Sequence, residues 1–146
     1  MENKKRVVVA MSGGVDSSTA AYLLKEEGYD VIGATMQLLD DEKTNQAIKD
    51  AKDVCTTLNI KHYVFDLRQE FKDIVIQNFI DSYKQGLTPN PCVLCNKMFK
   101  FGIFLKKAQE ELNADYISTG HYANIEKGKL KACNVLNKDQ SYFLYG

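Results

Sequence analysis

The sequence predicts an α/β protein built on a parallel sheet. Two observations carry that prediction. Strand-like and helix-like segments alternate four times along the chain, the pattern of sheets joined by helical crossovers. The first strand is apolar at consecutive positions rather than alternating ones, as expected of a strand covered on both faces.

The elements follow in order. Arg6–Met11 (RVVVAM) reads as the buried first strand, and SGGVDSS follows as a turn. Ser17–Glu27 reads as a helix with Ala20, Ala21, Leu23 and Leu24 on its apolar side, started by Asp16 or Ser17 as cap and ended by Gly28. Val31–Met36 is the second strand, and Leu39–Thr44 a polar loop. From Thr44 to Leu58, apolar residues recur at helical spacing, with Cys55 on that face. Lys61–Leu67 is the third strand. Phe71, Val75 and Phe79 lie four apart and predict a helix over Gln69–Tyr83, with these aromatics and Tyr22 in the core. His62 reads as a surface or packing residue.

Gly86–Pro91 (GLTPNP) is the clearest loop. Asn96–Leu112 predicts the fourth helix and Asp115–Thr119 the fourth strand. A hairpin turning at Glu126–Gly128 follows.

The chain has 146 residues, 45% hydrophobic and 26% charged. This balance suits one compact domain and excludes disordered and low-complexity classes. Nineteen basic and nineteen acidic residues cancel, which excludes a strongly basic nucleic-acid clamp but not a local patch. Residues 1–92 carry net −3 and residues 93–146 net +3, all eight cations there being lysines. No apolar run reaches the roughly 20 residues of a membrane span, and VVVAM is too short for a signal-peptide core. The expected address is the cytoplasm. There, four cysteines (Cys55, Cys92, Cys95 and Cys133) are not a disulfide framework.

Two segments carry chemistry. Ser12-Gly13-Gly14-Val15-Asp16-Ser17-Ser18 joins a strand to a helix. Its glycines let backbone N–H groups approach an anion, its serines add donors, and the helix start adds partial positive charge. It lacks the lysine of a Walker loop and the spacing of a dinucleotide fingerprint. The second segment, TPNPCVLCNK, places Cys92 and Cys95 at CxxC spacing, suited to metal or redox chemistry. With a helix beginning at Asn96, Cys95 would sit at its N-terminus, where the dipole lowers a thiol pKa; Lys97 and Lys100 would assist. Cys55 reads as core. Ligands in parallel sheets bind at the carboxyl ends of the strands, where SGGVDSS, Met36 and Gly120–His121 fall.

SGGVDSS resembles the PP-loop of ATP pyrophosphatases, which cleave ATP between the α and β phosphates. Together with TPNPCVLCNKMFKFG, STGHYA and NKDQSYFLY, in that order and spacing, it resembles the tRNA-specific 2-thiouridylase family over Val7–Tyr145. The resemblance implies a three-layer α/β/α doubly wound parallel sheet of the PP-loop, adenine nucleotide alpha hydrolase-like type. It implies that residues 1–146 form the ATP-binding catalytic domain, truncated before a central domain and a C-terminal β-barrel. It also implies a reaction. ATP with Mg²⁺ adenylates the C2 oxygen of a tRNA wobble uridine, and sulfur from a persulfide donor protein, a cysteine desulfurase or relay, displaces AMP.

By the same resemblance, Ala10, Met11, Ser12, Gly13, Gly14, Val15, Asp16 and Ser17 match ATP-loop positions. Met36 and Gly120 match further ATP contacts. Asn90, Pro91 and Cys92 match the segment facing the target base, and Cys95 the first catalytic cysteine. His121, Lys138, Asp139 and Gln140 match tRNA contacts. Cys92 stands with Cys95 as a catalytic candidate, but many members carry at position 92 an aspartate that is a proposed acid or base; the thiol replaces that carboxylate, and the resemblance offers the pair instead as candidate ligands of a 4Fe–4S cluster, which needs a third thiolate. The family's sulfur-carrying cysteine falls beyond Gly146, leaving Cys133 as the local substitute. Two alternatives remain. One is another PP-loop adenylating enzyme, a 4-thiouridine synthase or amide ligase, which lacks TPNPCVLCN here. The other is a non-catalytic nucleotide or iron–sulfur module.

Overall fold

A computed structural model of the chain describes residues 3–121, 123–132, 134 and 139. Cys133, Lys138 and Gln140 lie outside the described residues.

Four parallel strands form the central sheet: β1 (Arg6–Ala10), β2 (Asp30–Gln37), β3 (Lys61–Asp66) and β4 (Tyr116–Ser118). Their spatial order is β3-β2-β1-β4. Val8 pairs with Ile32 on one side and Ile117 on the other. The chain thus steps outward from β1 to β3 and then returns to the far side of β1. Such a reversal opens a crevice between the carboxyl ends of the two strands where the order turns.

Helices cover both faces. On one lie α1 (Val15–Glu26) and α2 (Glu42–Thr57), packed over Val7, Val9 and Met11. Here Cys55 is wholly buried; a Cβ on Gly33 would collide with its Sγ, so β2 has no side chain under that thiol. On the other face lie α3 (residues 68–84) and α4 (residues 91–112), packed over Val8, Ile32 and Phe65. This is the three-layer α/β/α arrangement. Phe99 and Phe104 of α4 are fully buried and meet Phe71 and Phe65 edge-to-face, with ring centroids 5.7 and 5.6 Å apart. Each such ring contributes about 1.5–3 kcal/mol by burial.

Both helices on this face change their ladder. Helix α3 runs from Arg68–Phe71 through a π-helical stretch, Lys72–Ile76, into Gln77–Lys84. Helix α4 runs from Pro91–Cys95 through π-helical Asn96–Ile103 into Phe104–Leu112. A left-handed Asn113 terminates it.

Several boundaries differ from the sequence expectation. Helix α2 starts at Glu42 because Asp41 Oδ1 accepts from Thr44 N–H, 2.6 Å away. Helix α1 has Gly14, not Asp16 or Ser17, at its N-cap. Helix α4 starts at Pro91 rather than Asn96 because Asn90 Oδ1 accepts from Val93 N–H at 3.3 Å, and proline needs no N–H in a first turn. Tyr22 and Phe79, expected in the core, are exposed, whereas Phe71 packs inside. The hairpin forms as expected, β5 (Asn124–Glu126) pairing with β6 (Lys129–Lys131) through Lys127 and Gly128, both at positive φ.

At the amino-terminal edge Arg6 closes the sheet. Its Nε donates to Asp30 at 2.6 Å and its Nη1 to the Leu112 carbonyl at 2.9 Å. No helix among the described residues is long and apolar enough to cross a membrane.

Candidate active site

A cleft of about 550 Å³ opens at the carboxyl edge of the sheet, at the β1/β4 reversal. One wall is the turn after β1 with the start of α1. Met11 N–H donates to the Ala34 carbonyl at 2.8 Å, fixing the turn's first residue to β2. The turn then closes on itself: Ser12 N–H donates to Ser17 Oγ at 3.2 Å, and the two hydroxyls are also 3.2 Å apart. Ser17 is buried and Ser18 Oγ donates to the Gly14 carbonyl. Gly14, at the N-cap of α1, brings no side chain to cap the first turn.

Close approach, rather than composition, explains the glycines. Gly13 has φ +80°, and a Cβ there would stand 2.7 Å from the Ala47 carbonyl oxygen of α2. A Cβ on Gly120, in the loop after β4, would stand 2.7 Å from Ser17 N and 3.0 Å from the Asp16 carbonyl carbon. The two loops of the reversal are therefore in backbone contact, and only glycine fits between them.

Of the ATP-loop candidates, Ala10, Met11, Ser12, Asp16 and Ser17 line this cleft together with Met36 and Gly120. Gly13 and Gly14 line an adjoining hollow beside Asp41 and Ala47. Val15 points outward, 79% exposed. Met36 continues into Leu38 and Leu39 as an apolar end of the cleft, fit for a flat base, opposite the polar turn.

The cysteine segment lies on α4, which contributes Lys100 to the cleft's described lining but neither Cys92 nor Cys95. Cys92 lies in the first turn and is exposed; Cys95 follows one turn later, half-buried beside Leu94 against the core. The expectation of an activated Cys95 at a helix start is corrected on both counts. Burial pushes its thiol pKa up, Lys100 draws it back down, and Cys92 adds to the rise.

Lys100 of α4 reaches into the cleft, its Nζ 3.2 Å from His121 Nε2. His121 Nδ1 is 2.7 Å from Thr119 Oγ1. An ammonium only donates, so Nε2 accepts and the ring proton sits on Nδ1, donated to Thr119. Burial and then the Lys100 charge push the His121 pKa down to about 4, so the ring is neutral at neutral pH. Phe101 lies tilted beside it, centroids 6.2 Å apart. On the far face of the sheet, His62 Nε2 is 2.8 Å from Thr35 Oγ1, and burial with nearby Lys52 lowers its pKa.

Sequence reasoning left Thr119, Asp41, Lys43 and the cleft role of Lys100 unassigned. The signal for Thr119 and Lys100 is their position: one ends a strand at the reversal, the other follows the CxxC by five residues. Asp139, half-buried, is the described member of the 138–140 group.

The donor set fits a magnesium-bearing nucleotide. Serine hydroxyls and the N–H groups at the start of α1 suit phosphate, and the carboxylates Asp16 and Asp41 are hard oxygen donors suited to Mg²⁺. No cluster of three or more metal-ligating side chains occurs among the described residues, so the ion would share its ligands with phosphate. A 4Fe–4S cluster does not fit the described residues. Cys92 and Cys95 supply two thiolates, and Cys55 is buried on the opposite face.

The family profile described as "tRNA methyl transferase HUP domain" matches residues 5–146. A tRNA-specific 2-thiouridylase MnmA of Caldicellulosiruptor saccharolyticus is 49% identical over 97% of this chain and 44% of its own length. One of Clostridium kluyveri is 50% identical over 97% of this chain and 43% of its own. The chain therefore spans less than half the length of these relatives. Among solved structures, the U34-tRNA thiolase NcsA of Methanococcus maripaludis, with its 4Fe–4S cluster, is 25% identical, with a TM-score of 0.59 over 82% of this chain and 38% of that one. With a parallel sheet reversing at an SGG turn, and CxxC on the helix whose Lys100 lines that cleft, the chain belongs to the tRNA methyl transferase HUP domain family.

Proposed function

We propose that the chain is the ATP-binding catalytic domain of a tRNA 2-thiouridine synthase, preceding a central domain and a β-barrel in the whole enzyme. One observation carries the reading: the SGG turn, the start of α1, Gly120 and a cation from the cysteine helix converge on one cleft. The relatives' names add the substrate class, a tRNA. The family profile's description speaks of methyl transfer, but two thiols one helical turn apart suit sulfur chemistry better.

The residues divide the work as follows. Ser12, Gly13, Gly14, Asp16 and Ser17, with the N–H groups around them, hold the β and γ phosphates and their Mg²⁺. Met36 and the leucines beyond it receive the adenine. Asn90, Pro91 and Cys92 serve the target uridine, and His121 and residues 138–140 serve as tRNA contacts. The C2 oxygen of uridine attacks the α-phosphorus and pyrophosphate leaves with the bridging oxygen, its charge met by preorganised donors. A persulfide on the sulfur-carrying cysteine that the resemblance places beyond Gly146, loaded by a donor protein of the cytoplasm, then attacks C2 through its terminal sulfur. The C2–O bond breaks and AMP departs with that oxygen. The Cys95 thiolate attacks the inner sulfur of that persulfide, forming a disulfide and releasing the thiolated base.

Calorimetry with Mg·ATP tests the first half: binding is expected, and folded protein with no ATP affinity removes the enzyme reading. For the second half, Cys95→Ser in the whole enzyme is expected to abolish 2-thiouridine in tRNA digests; undiminished thiolation acquits that residue.

A further inference from the structure

Cys92 and Cys95 stand one turn apart on α4 in unlike surroundings. Cys92, in the first turn, is exposed, whereas Cys95 is half-buried and packs against the core. Positions three apart on a regular α-helix have Cα atoms about 5 Å from one another, inside the span of roughly 4.4–6.8 Å that a disulfide bridges. Their Cβ atoms, about 5–6 Å apart, have to close by about 1 Å. A first turn can supply that movement, because its N–H groups lack the intrahelical ladder that stiffens a helix interior. Pro91 brings no N–H, and Val93 N–H is held by the Asn90 side chain, at 3.3 Å. The two sulfurs already sense one another, since charge on Cys92 helps to raise the Cys95 pKa. Cys55 is sealed on the opposite face of the sheet.

A disulfide between these two would carry one exposed sulfur, open to attack by a dissolved dithiol. A bond that has to bend its helical turn in order to form is also readily reduced. These are properties of a disulfide that cycles rather than one that braces the fold.

Resting on the reading above, each turnover leaves Cys95 Sγ bonded to the sulfur-carrying cysteine beyond Gly146. That bond has to break before the carrier can be loaded again. Its Cys95 end is half-buried, so a bulky reductant meets it poorly, and Cys92 lies one turn away. We propose that Cys92 is the resolving thiol of the reaction, drawing Cys95 into a disulfide within the helix and setting the carrier free. The Cys92 thiolate attacks Cys95 Sγ, the Cys95–carrier bond breaks, and its electron pair leaves on the carrier's sulfur. A dithiol reductant then attacks the exposed Cys92 sulfur. It gives up two electrons and ends as its own disulfide, and both cysteines return as thiols. Attack at the carrier's sulfur instead would have to expel Cys95, and a thiol of raised pKa is the poorer leaving group.

The chain by itself tests the pair, with no assumption about tRNA. Cys92 and Cys95 fall in one tryptic peptide, residues 85–97. After equilibration with glutathione mixtures of rising disulfide content, acid quenching and alkylation, that peptide should lose both alkylation sites together while Cys55 stays reduced. In Cys95→Ser, Cys92 should hold a glutathione adduct that the parent sheds. A lasting glutathione adduct on Cys92 of the parent, with no bond to Cys95, overturns the proposal, as does a disulfide from either residue to Cys133 in place of the pair. The whole enzyme is then turned over once with reductant withheld. The parent should show the Cys92–Cys95 disulfide and a carrier thiol free to be alkylated, whereas Cys92→Ser should keep the carrier bonded to Cys95. The parent's disulfide decides alone should that variant not turn over. A carrier still bonded to Cys95 in the parent overturns resolution by Cys92. Thiolated tRNA formed with no disulfide at Cys95 overturns the sulfur-transfer reading and takes the resolving role with it.

Discussion

Gly120→Ala tests the contact on which the cleft is built. The added Cβ would lie 2.7 Å from Ser17 N, 3.0 Å from the Asp16 carbonyl carbon and 3.1 Å from Asp16 Cβ. Ordinary contact begins near 3.4 Å, so the loop after β4 and the start of α1 must separate by about 0.7 Å. The nearest neighbours are backbone, held by the first turn of α1, and cannot swing aside as a side chain would. Overpacking of this kind costs about 1–3 kcal/mol. In a domain of this size each kcal/mol shifts Tm by about 2–4 °C, giving a fall of about 2–12 °C. The displaced atoms are those that face phosphate, so Mg·ATP affinity should fall too, by about tenfold if one charge-assisted contact is lost. Gly14→Ala is the stability control: its Cβ meets only Ser12 Oγ, at 3.4 Å, and its φ is −86°. Melting and calorimetry read both variants. A Gly120→Ala protein that melts and binds like the parent would refute the claim that these two loops share a backbone contact.

Other consequences follow from burial and charge. Iodoacetamide should alkylate exposed Cys92 first, half-buried Cys95 more slowly and Cys55 only on unfolding; early Cys55 modification, read by peptide mass, would contradict the packing over Gly33. Burial pushes the Cys55 thiol from 9.0 up to about 11, so the unfolded chain loses this proton first. Stability from the buried thiol is complete below pH 9 and lost between about 9 and 11, by up to about 3 kcal/mol. Denaturant melts should show that loss and Cys55→Val should flatten it; identical slopes would count against it. With two histidines in the chain, proton NMR can titrate both. His121 should titrate near 4 and His62 below 6.5, and stability should decline as pH falls from 6.5 toward 4, because the unfolded imidazole takes up its proton first. A His121 midpoint near 6.5 would deny its burial in the cleft beside Lys100.

Much of this architecture was legible because its signals are local. RVVVAM is apolar without alternation because β1 is central and covered on both faces by α1, α2, α3 and α4. Lys127–Gly128 marks the hairpin because its turn needs positive φ. What failed was also local, but ambiguous. Pro91 reads equally well as the last residue of a loop and the first of a helix, and the choice moves Cys95 from a helix start to its second turn. With that move the thiol goes from dipole-activated to burial-raised. Tyr22 and Phe79 have core-like spacing, yet α1 and α3 turn those positions to solvent, which depends on what each helix packs against. The π-turn is not legible at all, since nothing in NKMFKFGI distinguishes it from an α-helix. The approach of Lys100 to His121, 21 residues away, follows from that turn and from the return of β4 beside β1.

The central claim is that ATP lies at the carboxyl edge of the sheet, with its phosphates on the SGG turn. Mapping backbone amide shifts of ¹⁵N-labelled chain during a Mg·ATP titration tests it most directly. The largest saturable changes should fall on Gly13, Gly14, Ser17 and Gly120, with Met36 responding to the base. Changes centred instead on the opposite edge, at the hollow beside Arg6, Asp30 and Asn59, with Ser17 and Gly120 still, would contradict it.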